Sequence, residues 1–136
     1  MKMTTAEWVR KAVADRLAAQ RLARGKQPLH DQVCFHCQQA AEKYLKAFLE
    51  ELGLAVPRIH FLANLLTLLL PHDSALKKLK VPSKGLTKYA VDYRYPGHAA
   101  NARQAQACLR WLEEIRFAIG QRLSLPVRRA RLRRKP

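Results

Sequence analysis

The chain has 136 residues, enough for one compact domain and too few for a second sizeable core. Apolar residues make up 49% of it, which excludes wholesale disorder, and no stretch has the length and apolarity a membrane span needs. The formal net charge of +16 points to polyanionic partners, RNA, DNA or nucleotides first and an acidic protein second.

The amino terminus, MKMTTAEWVRK, lacks the apolar core of a secretion signal, and three cysteines are an odd number for a disulfide framework. A cytoplasmic protein with reduced thiols is expected. Thr4 to Glu7 has capping-box spacing and opens a first helix, along which Val9, Val13 and Leu17 recur; Gly25 closes it. A second helix is expected from about Asp31 to Leu52. Its apolar stripe is Cys37, Ala41, Tyr44, Phe48 and Leu52, widened by Ala40, Leu45 and Leu49, and Gly53 falls just past its end. A third helix spans about His60 to Leu70, with Leu62, Leu65, Leu66 and Leu69 on one side and Pro71 after it.

Residues 74–85, which end in Pro82 and Gly85, read as a short helical turn followed by a loop. A short fourth helix is expected from Leu86 to about Asp92. The last long helix is expected to begin near Pro96, with Ala102, Ala105, Leu109, Leu112, Ile115, Ile119 and Leu123 along one side. Nothing alternates with period two, so the fold class is all-α. Residues 1–125 form the expected helical domain. Residues 126–136 carry Arg128, Arg129, Arg131, Arg133, Arg134 and Lys135 with no acid. They are read as a disordered tail, either simply solvated or an electrostatic arm for a polyanion.

His30, Cys34 and Cys37 share one helix face, a spacing compatible with a metal. The paired ligand clusters of a structural zinc site are missing, however, so small residues packing a helix face is the default and neither metal nor cofactor is expected. No glycine-rich phosphate loop and no nucleophile elbow occurs. What stands out is DYRYPGH at 92–98. Pro96 and Gly97 would break any helix holding Arg94 and would place His98 in the first turn of the last helix. There the helix dipole favours an anion and a neutral imidazole. Arg94 can grip a phosphate bidentately, and Tyr93 and Tyr95 can stack on bases. With His98 taking a 2′-hydroxyl proton and Arg94 stabilising the phosphorane, metal-free RNA cleavage is within reach of this set. The same residues also suit an ordinary turn, with Arg94 paired to Asp92 or to a helix carboxylate.

Several segments together resemble one family. Trp8 to Leu22 matches its first helix, and Asp31 with FHCQQAAEKYLKAFL (35–49) looks like its F-x-x-Q-Q-A-x-E-K-x-x-K-A signature. His60, Leu62 and Leu65-Leu66 look like its H-x-L-x-x-L-L segment, and Arg94-Tyr95-Pro96 like its R-Y-P. Over about residues 7–119 the chain is thus similar to the HEPN domains. The resemblance implies a four- to five-helix antiparallel bundle that pairs into a homodimer. It also implies a minimal nucleotidyltransferase partner in a toxin–antitoxin-type pair, and binding of nucleotide or RNA. Together with the residue readings above, it gives Arg94 and His98 as candidate catalytic residues, Tyr93, Tyr95, His60, Lys43 and Lys46 as candidate nucleotide- or RNA-binding residues, and Asp92, Gln38 and Glu42 as candidates to hold the Arg94 turn. Between Arg94 and His98 lie Tyr95, Pro96 and Gly97, one residue short of the spacing in the family's nucleases. A partner-binding module, a metal-independent ribonuclease and a plain basic nucleic-acid-binding bundle all stay open.

Overall fold

α1 (Met3–Arg24) and α2 (His30–Glu51) form an antiparallel hairpin that sets the frame for everything else. Their sequences explain the pairing. α1 turns Thr5, Val9, Ala12 and Ala19 into α2, and the small alanines let the two backbones approach. α2 buries most of its length, from Val33 and Cys34 to Phe48 and Leu49, so it has almost no solvent face. Residues 1–128 are described by the computed structural model, and among them no strand occurs.

After α2, Gly53 at φ +74 turns the chain, which doubles back along α2 to His60 before α3 (Leu62–Leu69). α3 buries the four leucines expected of it, but it starts two residues later than His60, with Phe61 as its N-cap. A 3-10 turn (Ser74–Leu79) leads into α4 (Lys80–Thr87). The sequence predicts a loop here and a helix at 86–92, and the structure reverses that. Pro82 sits in the first turn of α4, where a missing N–H costs nothing. Gly85 leaves room for the Trp111 ring, so neither residue breaks the helix. Beyond Thr87 the chain makes two short 3-10 turns, Lys88–Ala90 and Asp92–Arg94, instead of a fourth helix.

α5 (Ala102–Arg122) begins six residues later than the proline suggests. Gly97 at φ +98 bends the chain away, and Asn101 then caps the helix with a full capping box. Its side chain accepts from the Gln104 amide at 2.8 Å, while the Gln104 side chain accepts from the Asn101 amide at 2.9 Å. The capping box expected at Thr4 does not form. α1 starts at Met3, and Thr4 and Thr5 instead donate to Glu50 at 2.7 Å and Glu51 at 3.0 Å on the last turn of α2. Of the α1 stripe, Val9 is core, whereas Val13 and Leu17 are exposed, because the helix turns its alanine side toward α2.

Three contacts give the direction of α5. The Ala100 amide donates to Asp31 at the start of α2, Cys108 lies against Cys34, and Arg116 lies beside Tyr44 near the end of α2. α5 therefore runs parallel to α2 and antiparallel to α1, to which Arg16 joins it through Glu113 at 2.6 Å. At the far end Arg122 engages Asp73, and Val127 packs against Gly120. From residue 129 on, the expected tail lies outside the described residues.

Candidate functional site

An open cleft of about 440 Å³ lies where the 92–98 segment crosses the start of α2. One wall is Asp31, Gln32 and Phe35, one turn apart on α2; the other is Tyr93, Arg94, Tyr95, Pro96 and His98. Local chemistry shapes the second wall. Arg94 ends a 3-10 turn, Pro96 holds Tyr95 extended at φ −123 and ψ 159, and Gly97 takes a conformation that side chains resist.

Arg94 places its guanidinium 5.2 Å above the Phe35 ring, and among the described residues no carboxylate forms an ion pair with it. Asp92, on the same short turn, is exposed and does not pair with it. Asp31 is engaged elsewhere, because its Oδ1 accepts from the Ala100 amide at 2.6 Å and so ties the loop to α2. An arginine braced on an aromatic face keeps its forked donors free for a planar or tetrahedral anion. Tyr93 is half-buried and anchored. Its ring is 4.5 Å from that of Tyr89 and 5.5 Å from that of His98, and its hydroxyl accepts from Gln104 at 3.2 Å. Tyr95 stands 59% exposed at the rim, available for stacking. His98 lines the same cleft as Arg94, but from the loop before α5. The helix-terminus argument for its protonation therefore falls away.

His60, Lys43 and Lys46 are elsewhere. Gln38, Glu42 and Lys46 sit on α2 at 0, 4 and 5% exposure, so they do not form a solvated face. Lys46 donates to Glu42 at 3.0 Å, Gln38 donates to the His60 carbonyl at 2.9 Å, and His60 Nδ1 lies 3.2 Å from Glu42. Lys46 also lies 5.6 Å from the centre of the Trp8 ring. The two contacts to His60 fasten the returning 52–61 segment to α2, and neither of them involves residues 92–98. Lys43 pairs with Asp15 of α1, which also meets His36 at 2.9 Å. Glu42 is seven residues from Phe35, about 10 Å along the helix, while Gln38 of the same network is only three residues from it.

Cys34, Cys37 and Cys108 are fully buried near one another. Burial pushes the Cys37 thiol well above its ordinary range, and the thiol–thiol hydrogen bond with Cys34 together with burial does the same for Cys108, all three cysteines being free. These are packing thiols. Among the described residues no cluster of His, Cys, Asp or Glu is arranged to hold a metal, and no helix is long and apolar enough to cross a membrane.

Asp31, Gln32 and Phe35 join the site only once the fold is known. A signal for them was present: Asp31 and Phe35 are four apart, one helical turn, and Phe35 comes three residues before Gln38.

No curated protein matches the chain. Among solved structures it is similar to TT1696 from Thermus thermophilus, with a TM-score of 0.74 and 28% identity over 86% of this chain and 96% of that one. The family profile described as HEPN domain matches residues 5–121, from the buried Thr5 of α1 to the last turn of α5, and so takes in both the helical frame and the cleft. With that span of sequence and that helical architecture in agreement, the chain belongs to the HEPN domain family.

Proposed function

We propose that this HEPN protein binds RNA or a nucleotide by a phosphate group in the Arg94 cleft, and that it does so as the partner of a minimal nucleotidyltransferase in a toxin–antitoxin-type pair. The observation that carries the reading is Arg94 itself. It is a guanidinium braced on Phe35, with no carboxylate partner among the described residues, in an open cleft of a protein of net charge +16. Tyr95, exposed at the rim, offers a flat face beside it for a base, and Tyr93 lines the cleft next to it. The large positive charge fits an acidic nucleotidyltransferase, and a homodimer would bring a second copy of the cleft to the assembly.

Ribonuclease activity is the second reading, favoured by His98 lining the same cleft as Arg94. There the imidazole would accept the 2′-hydroxyl proton while Arg94 stabilises the charge on the pentavalent phosphorus, with no metal required. One experiment addresses both readings. Labelled single-stranded RNA is incubated in EDTA with the wild type, Arg94→Ala and His98→Ala, and retention and strand breakage are read together. Arg94→Ala is expected to weaken retention about tenfold or more, the worth of one charge-assisted hydrogen bond. Breakage that vanishes in His98→Ala assigns cleavage. Retention unchanged in Arg94→Ala removes the cleft from the account.

A further inference from the structure

Between residues 77 and 88 the chain carries five lysines and no acid. α4 turns Pro82, Ser83 and Leu86 into the core, so at 100° per residue Lys80 and Lys84 stand on its outer side. Lys88, one residue past the helix, continues the row. All three are exposed, and none forms an ion pair among the described residues. Asp73, the nearest acid before them, is engaged by Arg122. Successive members of the row are four residues apart, about 6 Å along the axis.

The row leads into the cleft through direct contacts. Lys88 Nζ lies 5.3 Å from the centre of the Tyr89 ring, Tyr89 is 4.5 Å from Tyr93, and Tyr93 lines the cleft with Arg94. A mononucleotide held by Arg94 has no use for three further cations in line. A strand with a phosphate at every step does. Tyr95 stands exposed at the rim of the cleft the row leads to, and an open aromatic face stacks on a base and does nothing for the carboxylates of an acidic protein.

We propose that Lys80, Lys84 and Lys88 form a guide for the backbone of a single-stranded polynucleotide, whose leading phosphate enters the Arg94 cleft. The proposal rests on the cleft reading above and names its ligand, which is a strand several nucleotides long and not a free nucleotide.

The test is anisotropy titration of the full chain with fluorescein-labelled 2′-O-methyl oligouridylate of roughly ten nucleotides, a length suited to one small domain. The 2′-O-methyl group prevents attack by the neighbouring 2′-oxygen, so binding is read without cleavage. Titrations at several salt concentrations compare the wild type with Lys80→Gln/Lys84→Gln/Lys88→Gln and with Arg94→Ala. Uridine 5′-monophosphate is titrated in parallel, and thermal melts establish that both variants are folded. The triple variant is expected to flatten the log K against log salt slope by about 2, since each single-strand phosphate contact contributes about 0.7. It should leave monophosphate affinity unchanged, whereas Arg94→Ala weakens both ligands. A triple variant with the wild-type slope, beside an Arg94→Ala that still weakens both ligands, overturns the guide and leaves the cleft reading intact. An Arg94→Ala that weakens neither removes the cleft reading, and the proposed path with it. Displacement of the oligonucleotide by polyglutamate as readily as by unlabelled oligouridylate makes the row a surface for acidic protein, which also overturns the proposal.

Discussion

Glu42 is the most constrained carboxylate of the molecule: 4% exposed, bonded to Lys46, and approached by Gln38 at 3.4 Å and by His60. A buried ion pair adds little net stability when intact, but removing one member strands the other in a medium of low polarity. Glu42→Gln leaves Lys46, 5% exposed, without its carboxylate, and is expected to cost about 3 kcal/mol in urea unfolding at pH 7. The double replacement Glu42→Leu/Lys46→Met should recover most of that loss; a cost under about 1 kcal/mol for the single variant would show that Lys46 does not depend on the Glu42 carboxylate. Arg94 obeys the opposite logic. It is exposed, lies on an aromatic ring and forms no ion pair among the described residues, which leaves its charge for a ligand to use.

Helix packing turns on Gly85. A Cβ there would lie 2.5 Å from the Trp111 ring, closer than atoms approach, and a packed indole between α4 and α5 cannot swing clear as a surface chain could. Gly85→Ala is therefore expected to lower stability by about 1–3 kcal/mol despite alanine's better helix propensity, with the shift read from the thermal midpoint. The same position explains where the sequence was legible and where it was not. α2 could be read almost to the residue because its stripe, from Cys37 to Phe48, is set by burial along one continuous helix. α4 could not, because Pro82 and Gly85 look like breakers until the first-turn position of one and the indole facing the other are known. The start of α5 held two competing signals, Pro96 and the Asn101–Gln104 box. Only the backbone turn at Gly97 decides between them. Thr4 has the spacing of a local cap, yet Thr4 and Thr5 serve Glu50 and Glu51 some 46 residues away, a contact no local spacing encodes. At the cleft, the 92–98 segment was visible by its composition. Its opposite wall was harder to see, because the four-residue spacing of Asp31 and Phe35 is common among helix residues until the fold sets Phe35 under Arg94.

For the molecule as a whole, charge sets the acid limit. Asp73 is held below the ordinary carboxylate range by its bond to Arg122, and Glu51 likewise by the Lys2 amide. A carboxyl with a depressed folded pKa stabilises above its unfolded value, about 4, and that stability is lost as pH falls through the folded value. Thermal midpoints are therefore expected to be flat between about pH 7 and 5 and to drop below about pH 4. Asp73→Asn should begin up to about 1 kcal/mol less stable at pH 7 and converge on the wild type in acid, since the pair sits near the surface. A gap that stays constant with pH would show that the carboxylate's charge plays no part. The parallel course of α2 and α5 has a further consequence. The cleft lies at one pole, while residues 1–4 and 123–128 lie at the other, separated by the roughly 30 Å of α5. A molecule anchored through residues 1–4 to a bead, a sensor chip or an optical-trap handle thus presents its cleft outward.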